Sequence, residues 1–266
     1  MSTSEYLVEL RCAEALAREA GKRVEEGARA GFTIDYKGRN DLVTNVDRST
    51  EEFIRAQLRA MFPSDGIHGE EFGEEDGKQP ERQWLVDPID GTTNFSHRIP
   101  IYCISIALQV NKKSVAAVIY DPTRDELFSA RVGGGAYLNG VPMRVSDQDT
   151  MHRAVCVTGF PPLKSGDTFE TITAKLVQML GSVRGIRRFG SAALDLANVA
   201  AGRVDGFWEY GLNPWDTAAG YLLVQEAGGN VTTEAGEEFS AHERSVVATN
   251  GHLHQRVLDA LGRIQD

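Results

Sequence analysis

The stretch Trp84-Leu85-Val86-Asp87-Pro88-Ile89-Asp90-Gly91-Thr92-Thr93-Asn94-Phe95 governs the reading of this chain. An apolar run stops at two carboxylates separated by a proline and an isoleucine, and a donor-rich Gly-Thr-Thr-Asn segment follows. Asp87 and Asp90 lie at i and i+3, so a tight turn at Pro88 can bring both to one point. Carboxylates forced together raise each other's pKa unless a cation neutralises them. Oxygen-only ligands with no neighbouring His or Cys suit a hard ion, Mg²⁺ ahead of Zn²⁺. The Gly-Thr-Thr amides then supply donors for an anion. The segment invites a metal with a phosphate. A plainer reading stands beside it, because Asp-Pro and Asp-Gly are common turn dipeptides and Asp90-Gly91 could close a hairpin. Turn chemistry leaves the second carboxylate and the Thr92-Thr93-Asn94 donors unexplained.

Upstream, helical spacing runs from about Glu5 to Ala28, with Leu7, Leu10, Ala13, Leu16 and Ala17 on one face. Residues 33–36 suggest a short strand and Lys37-Gly38-Arg39-Asn40 a polar turn. A second helix is expected from Ser49 to Phe62, with Ser49 and Glu52 as its capping box. Residues 69–81 read as an acidic loop. Strands are expected at 84–86, 101–110, 114–120, 126–131 and 153–158. Farther on, helices at 166–180, 191–201, 217–227 and 251–264 alternate with strands at 183–188, 204–209 and 244–249. That alternation implies an α/β half, residues 148–266, behind an α+β half, residues 1–147. The polar stretch from Ser146 to Thr150 marks the soft boundary.

The 266 residues, 41% hydrophobic and 25% charged, have an ordinary globular composition and can bury one large core or two modest ones. Net charge is −10 and no Lys/Arg-rich run stands out, which disfavours direct nucleic-acid or anionic-membrane binding. An acidic protein acting on a phosphate needs local positive charge, which bound metal ions could supply. The longest apolar stretch, residues 99–110, is too short to span a bilayer, and residues 1–30 show no signal-peptide core. Three widely spaced cysteines, Cys12, Cys103 and Cys156, suggest reduced, buried thiols and a cytoplasmic location.

Other acids have both a bland and a chemical reading. Glu70 and Glu71 belong to an acidic run whose default is a solvated loop. Asp47 and Asp216 are each placed to cap a helix, although Ser49 could cap the first and leave Asp47 for other work. A helix N-terminus at Asp216 also favours a metal–phosphate assembly. Gly190-Ser191-Ala192-Ala193 opens a helix with small residues, which permit close ligand approach or simply tight packing. Glu209, alone in Phe207-Trp208-Glu209-Tyr210, would plainly be an edge-facing charge. No HExxH spacing, Gly-x-Ser-x-Gly elbow or Cys–His pair is present. A metal-activated water is therefore a better candidate than a covalent nucleophile.

Together these segments resemble the inositol monophosphatase family over most of the chain. The family's Trp-x-x-Asp-Pro-x-Asp-Gly-Thr-x-Asn-Phe signature runs without departure from Trp84 to Phe95. Its Glu-Glu element matches Glu70-Glu71 and its Val-Thr-x-x-Asp element matches Val43 to Asp47. Its Trp-Asp element matches Trp215-Asp216, downstream of Gly190-Ser191-Ala192 and Glu209. Residues 37–47, 115–145 and 190–216 most resemble bacterial inositol-1-monophosphatases of the extragenic-suppressor type.

The resemblance implies the layered αβαβα sugar-phosphatase fold shared with fructose-1,6-bisphosphatase, and two to three Mg²⁺ ions. By the same resemblance Glu70, Asp87 and the Ile89 carbonyl would hold one ion, and Asp87, Asp90 and Asp216 a second. A third, weaker ion would sit near Glu70, with Lys37 on a loop close by. Asp47 and Thr92 would orient and deprotonate the attacking water, with Glu70 counted among the catalytic groups. The Gly91 and Thr92 amides would take the phosphate. Glu209, with Gly190, Ser191 and Ala192, would contact the alcohol part of the substrate. Also implied are in-line hydrolysis of myo-inositol monophosphates, lithium sensitivity and a homodimer.

Phosphate monoester hydrolysis needs accelerations approaching ~10²¹, so neutralising charge on the dianion is the central demand. Fructose-1,6-bisphosphatase, histidinol-phosphatase and NADP or nucleotide 3′-phosphatase share the metal site and remain alternatives. Glu209 favours a neutral polyol, whereas Arg187 and Arg188 keep a second phosphate open. A separate reading, taken from suppressor-type relatives, is a partner-binding regulator of RNA processing with incidental activity.

Overall fold

The computed structural model describes residues 5–38, 41–160 and 169–262. Helix α1 (Leu7–Ala30) is followed by a two-stranded ribbon, β1 (Ile34–Gly38) with β2 (Asp41–Thr44), and by α2 (Asn45–Met61). A large sheet then forms from β3 (Asp65–Gly69), β4 (Gly73–Glu75), β5 (Gln79–Asp90), β6 (Cys103–Val110), β7 (Lys113–Asp121), β8 (Glu126–Arg131), β9 (Ala136–Leu138) and β10 (Val141–Met143). A short helix α3 (Thr92–Ser96) lies between β5 and β6. The remaining elements are β11 (Val155–Thr158), α4 (Phe169–Ser182), β12 (Gly185–Arg187), α5 (Ala192–Ala200), β13 (Gly206–Tyr210), α6 (Pro214–Glu226), β14 (Asn230–Thr232), β15 (Ser245–Thr249) and α7 (His254–Gly262).

The eight-stranded sheet has the order β10-β9-β8-β7-β6-β5-β3-β4 and is antiparallel except between β3 and β5. The five-stranded sheet has the order β12-β11-β13-β15-β14, with β11 parallel to both its neighbours. Side chains alternate faces along each strand. Trp84, Val86, Ile104, Ile106 and Leu108 accordingly face α1 and α2, in a core with Leu10, Leu16, Val24, Ile54 and Leu58. Leu85, Ala107, Ala117 and Ile119 face the other way, onto α5, α6 and the small sheet's Phe207 and Ala248. Beyond the small sheet, Cys156, Trp208 and Val247 pack on Met179 of α4 and Val257 and Leu261 of α7. These cores separate five layers, the αβαβα arrangement implied by the sequence.

The layering explains which elements were easy to read. Helix α1 buries a single stripe (Leu10, Ala13, Leu16, Ala17, Ala20, Gly21, Val24), so its period shows plainly. Helix α6 lies between two sheets and is buried continuously from Thr217 to Val224, which erases its amphipathic signal. Strand β6 is covered on both faces and reads as one apolar run. Among the described residues, no helix is long and apolar enough to cross a membrane. All three cysteines are unpaired; Cys103 and Cys156 are buried and Cys12 half-buried.

Several boundaries differ from those expected. Helix α2 starts at Asn45, capped by Thr44, whose hydroxyl accepts the amides of Val46 and Asp47. The Asp47 carboxylate reaches back to the Thr44 amide at 2.8 Å, so the capping box is Thr44–Asp47 and Ser49 lies inside the helix. The acidic stretch expected as a loop folds back as β4 and leads into a β5 that begins at Gln79. Its charges sit on a sheet margin, where they cost little. The short α3, β9, β10 and β14 carry too few residues to show a period. Residues 161–168, which include the expected start of the helix at 166, lie outside the described residues.

Helix α6 is clasped to the large sheet at a defect in it. The β6–β7 register shifts between Leu108 and Gln109, and the Ser114 amide at that point donates to the Tyr221 hydroxyl at 2.5 Å. The Ser114 hydroxyl in turn donates to the Ala218 carbonyl at 2.8 Å. Tyr221→Phe strands the buried Ser114 N–H. Its unfolding free energy in urea is expected to fall by about 1–3 kcal/mol; no change would mean that another group takes over that amide.

Candidate active site

Strand β5 carries the diagnostic segment to the centre of the molecule, buried from Trp84 to Asp90. Pro88 lacks the N–H that a ladder needs, and the register with β6 shifts between Asp87 and Asp90. Asp87 pairs with Ser105 and Asp90 with Cys103 on either side of that irregularity. Within it, the Ile89 amide donates to Asp87 Oδ1 at 3.0 Å. The chain then turns at Gly91 (φ 98°), a conformation that suits a residue without Cβ, and enters α3.

Asp47 and Thr92 meet here. Asp47 stands in the first turn of α2, fully buried, with one carboxylate oxygen bound to Thr44 and the other 3.2 Å from the Thr92 hydroxyl. The same hydroxyl lies 3.0 Å from the Ile89 carbonyl, so one proton serves two acceptors. Burial, reinforced by the nearby Glu71 charge, pushes Asp47 up to about 6 against the opposing hydrogen bonds from Thr44 and Thr92.

The second half of the chain closes on Asp90 and β6. Asp90 Oδ2 accepts from the Ser191 hydroxyl at 2.6 Å and the Ala193 amide at 2.7 Å, both at the start of α5. Asn94 Nδ2 donates to the carbonyls of Ile101 at 2.8 Å and Phe189 at 2.7 Å, tying the turn after β5 to the segment before α5. Asp216 sits in the first turn of α6, and its Oδ2 takes the Asn213 amide at 2.7 Å. The adjacent Trp215 is held by Ser105, whose hydroxyl donates to its carbonyl at 3.2 Å, and by an edge contact with His68 at 5.1 Å.

Electrostatics bind these acids into one group. Burial raises Asp87 well above the usual carboxylate range, and Glu70, Asp90, Asp216 and Asp47 each raise it further. Asp216 is raised in the same way, by burial and then by Asp90, with Glu70 and Glu209 adding to it. Burial also raises Asp90, while its bonds to Ser191, Ala193, Ala192 and Cys103 pull it back. The buried Cys103 thiol is pushed well up and stays protonated. Among the described residues, no three His, Cys, Asp or Glu side chains stand at the spacing of a closed ligand cage. A hard divalent cation fits this donor set, since every donor is oxygen and each carboxylate gains from a positive neighbour.

Other expected residues fall as follows. Gly190, Ser191 and Ala192 lie at the start of α5, where the Ser191 hydroxyl is engaged with Asp90. Glu209 is in β13, central in its sheet and buried, so the edge-facing reading does not hold. Burial and then Asp90 push it up to about 8, with Arg188 opposing. Of the Thr92-Thr93-Asn94 donors, the Asn94 side chain is spent on carbonyls and Thr93 is exposed. Lys37 belongs to β1 by its backbone, and its side chain lies outside what is described.

Asp195 was not anticipated. It is buried in α5, its Oδ1 has no hydrogen-bond partner among the described residues, and burial and Glu209 hold it well above the usual range. A lone carboxylate in Leu194-Asp195-Leu196 was the available signal.

The fold and acid cluster define a layered sugar-phosphatase, a phosphoric monoester hydrolase of a metal-dependent class. The chain belongs to the inositol monophosphatase family, whose model matches residues 7–266. It is 42% identical over 247 residues to an inositol-1-monophosphatase of Mesorhizobium japonicum, covering 92% of each chain. It is 43% identical over 246 residues to the Nus factor SuhB of Escherichia coli, covering 91% of each. The crystal structure of the extragenic suppressor protein SuhB from Bartonella henselae superposes with a TM-score of 0.93 at 40% identity, covering 97% of this chain and 100% of that one.

The raised Glu209 has a stability consequence with a definite sign. Its folded value, about 8, lies above its ordinary 4.5, so its contribution is complete below 4.5 and is lost as pH rises through about 8. Metal-free wild type is expected to lose more melting temperature across that window than Glu209→Gln does. Parallel melting curves would show that Glu209 ionises normally.

Proposed function

We propose that the protein hydrolyses myo-inositol monophosphates to inositol and phosphate, using two to three Mg²⁺ ions. The observation that carries this reading is the convergence of Glu70, Asp87, Asp90 and Asp216 on one electrostatic cluster beside the Asp47–Thr92 pair. Glu70, Asp87 and the Ile89 carbonyl would hold one ion; Asp87, Asp90 and Asp216 a second; and Glu70, near Lys37, a third. Bound metal would neutralise the phosphoryl oxygens and acidify the attacking water.

The remaining work falls to the chain's own groups. Asp47 accepts the proton of the water, at the oxygen that faces the Thr92 hydroxyl, and Thr92 orients it. The Gly91 and Thr92 amides hold the phosphate at the start of α3, with Glu70 among the catalytic groups. Glu209, with Gly190, Ser191 and Ala192, receives the polyol, whose hydroxyls a carboxyl group can bind. Residues 1–147 thus bear most of the metal ligands, and residues 148–266 bear Asp216 and the alcohol contacts. A cytoplasmic homodimer belongs to the same proposal.

Phosphate release from myo-inositol 1-phosphate and fructose 1,6-bisphosphate, each with Mg²⁺, EDTA or lithium, tests it. Turnover of the inositol ester should dominate and vanish with EDTA and with lithium. Preference for the bisphosphate would overturn the substrate, and inactivity on both would overturn the reading. Asp90→Asn should lower turnover by orders of magnitude with the circular dichroism spectrum unchanged; near-normal activity would remove Asp90 from the metal site.

The Nus factor name of the Escherichia coli relative favours a second reading, binding of a protein partner independently of hydrolysis. Capture of a partner by Asp90→Asn as well as by wild type would support it.

A further inference from the structure

Helix α2 presents Asp47, Glu51 and Arg55 at successive i, i+4 positions, one above another, and all three are buried. Asp47 belongs to the site above, whereas the hydrogen bonds described for Glu51 and Arg55 go to each other and to the β3–β4 hairpin. Glu51 instead grips the turn that carries Glu70. Its Oε2 accepts the Glu71 amide at 2.7 Å and its Oε1 the Phe72 amide at 3.3 Å. These are the two peptide groups that follow Glu70 in the three-residue turn between β3 and β4.

Arg55 completes the clamp. It donates to Glu51 Oε1 at 3.0 Å, to the Gly73 carbonyl at 3.0 Å and to Glu75 Oε2 at 3.1 Å. The strand crosses the carboxylate so closely that a Cβ on Gly69 would lie 2.1 Å from Glu51 Oε1. A surface hairpin turn could satisfy its amides with water. A buried ion pair, by contrast, is weak evidence for stability, because desolvation consumes most of its Coulombic gain. What the pair supplies is geometry.

We propose that Glu51 and Arg55 are positioning residues, which set the Glu70-Glu71 turn against Asp47 and Asp87. One rigid helix then fixes two parts of the site about 6 Å apart along its axis: the Asp47–Thr92 pair at its first turn and the Glu70 ligand through Glu51. The inference rests on the proposed metal-dependent function.

Hydrogen–deuterium exchange of metal-free wild type, Glu51→Gln and Arg55→Lys tests the positioning without reference to catalysis. Exchange in a peptide spanning residues 69–75 should rise in Glu51→Gln by more than anywhere else in the chain, alongside a lower melting temperature from the buried Arg55 left without that carboxylate. The Mg²⁺ concentration for half-maximal hydrolysis should rise about 10- to 100-fold, while kcat at saturating Mg²⁺ changes far less. Arg55→Lys keeps the charge but loses the fork to Gly73 and Glu75, and should show both effects more weakly. It also serves if Glu51→Gln does not fold. Unchanged exchange at 69–75 in a folded variant overturns the proposal, as does a general rise in exchange with the Mg²⁺ requirement unaltered. Loss of Mg²⁺-dependent hydrolysis in wild type would instead remove the functional reading and leave the exchange result to decide the positioning.

Discussion

Repulsion among buried carboxylates is the constraint on which the rest of this structure depends. Glu70, Asp90, Asp216 and Asp47 are close enough to raise Asp87, Asp90 and Glu70 close enough to raise Asp216, and no protein cation lies among the main influences on Asp87 or Asp216. Desolvation alone disfavours their charged forms. Keeping them together requires covalent proximity, as between Asp87 and Asp90, or donors that hold each carboxylate in place.

The donors come from helix starts. Asp47 and Asp216 each occupy the third position of a helix and bind the capping residue's amide with one oxygen. Capping and chemistry are therefore not alternatives at these positions, because a carboxylate has two oxygens and the cap uses one. At Asp47 the second oxygen faces Thr92. Asp90 is held from outside, by Ser191 and the Ala193 amide at the start of α5. The favourable field of a helix N-terminus adds to each arrangement.

Layering supplies the rigidity. Helices α5 and α6 are enclosed between two sheets, and their starts are pinned to the large sheet's segment by Asn94, Asp90 and Ser105. Glu209 is consequently buried at a sheet centre and shares its surroundings with Asp195 and Arg188. Ser191, Ala192 and Ala193 lie in close contact with the Asp90 carboxylate, and a Cβ on Gly190 would meet Arg188 and Asn94.

The sequence by itself determined the class of fold and the main acidic segment. A twelve-residue signature, a one-sided α1 and apolar runs at β6 and β7 are local facts, and they survive in one dimension. Tertiary structure decided what those residues touch. Glu209 looked like an edge charge because strand order is not written in the strand, and its central place follows only from the pairing of β13 with β11 and β15. Asn94 looked like one of the turn's unexplained donors until the carbonyls of Ile101 and, 95 residues on, Phe189 claimed it. Glu51 and Arg55 give no sign of their burial in the sequence, since an i, i+4 spacing is the same whether water or a hairpin lies above it. Distance along the chain sets which groups are neighbours within an element. Only the packing of one element on another sets which charges lose their water.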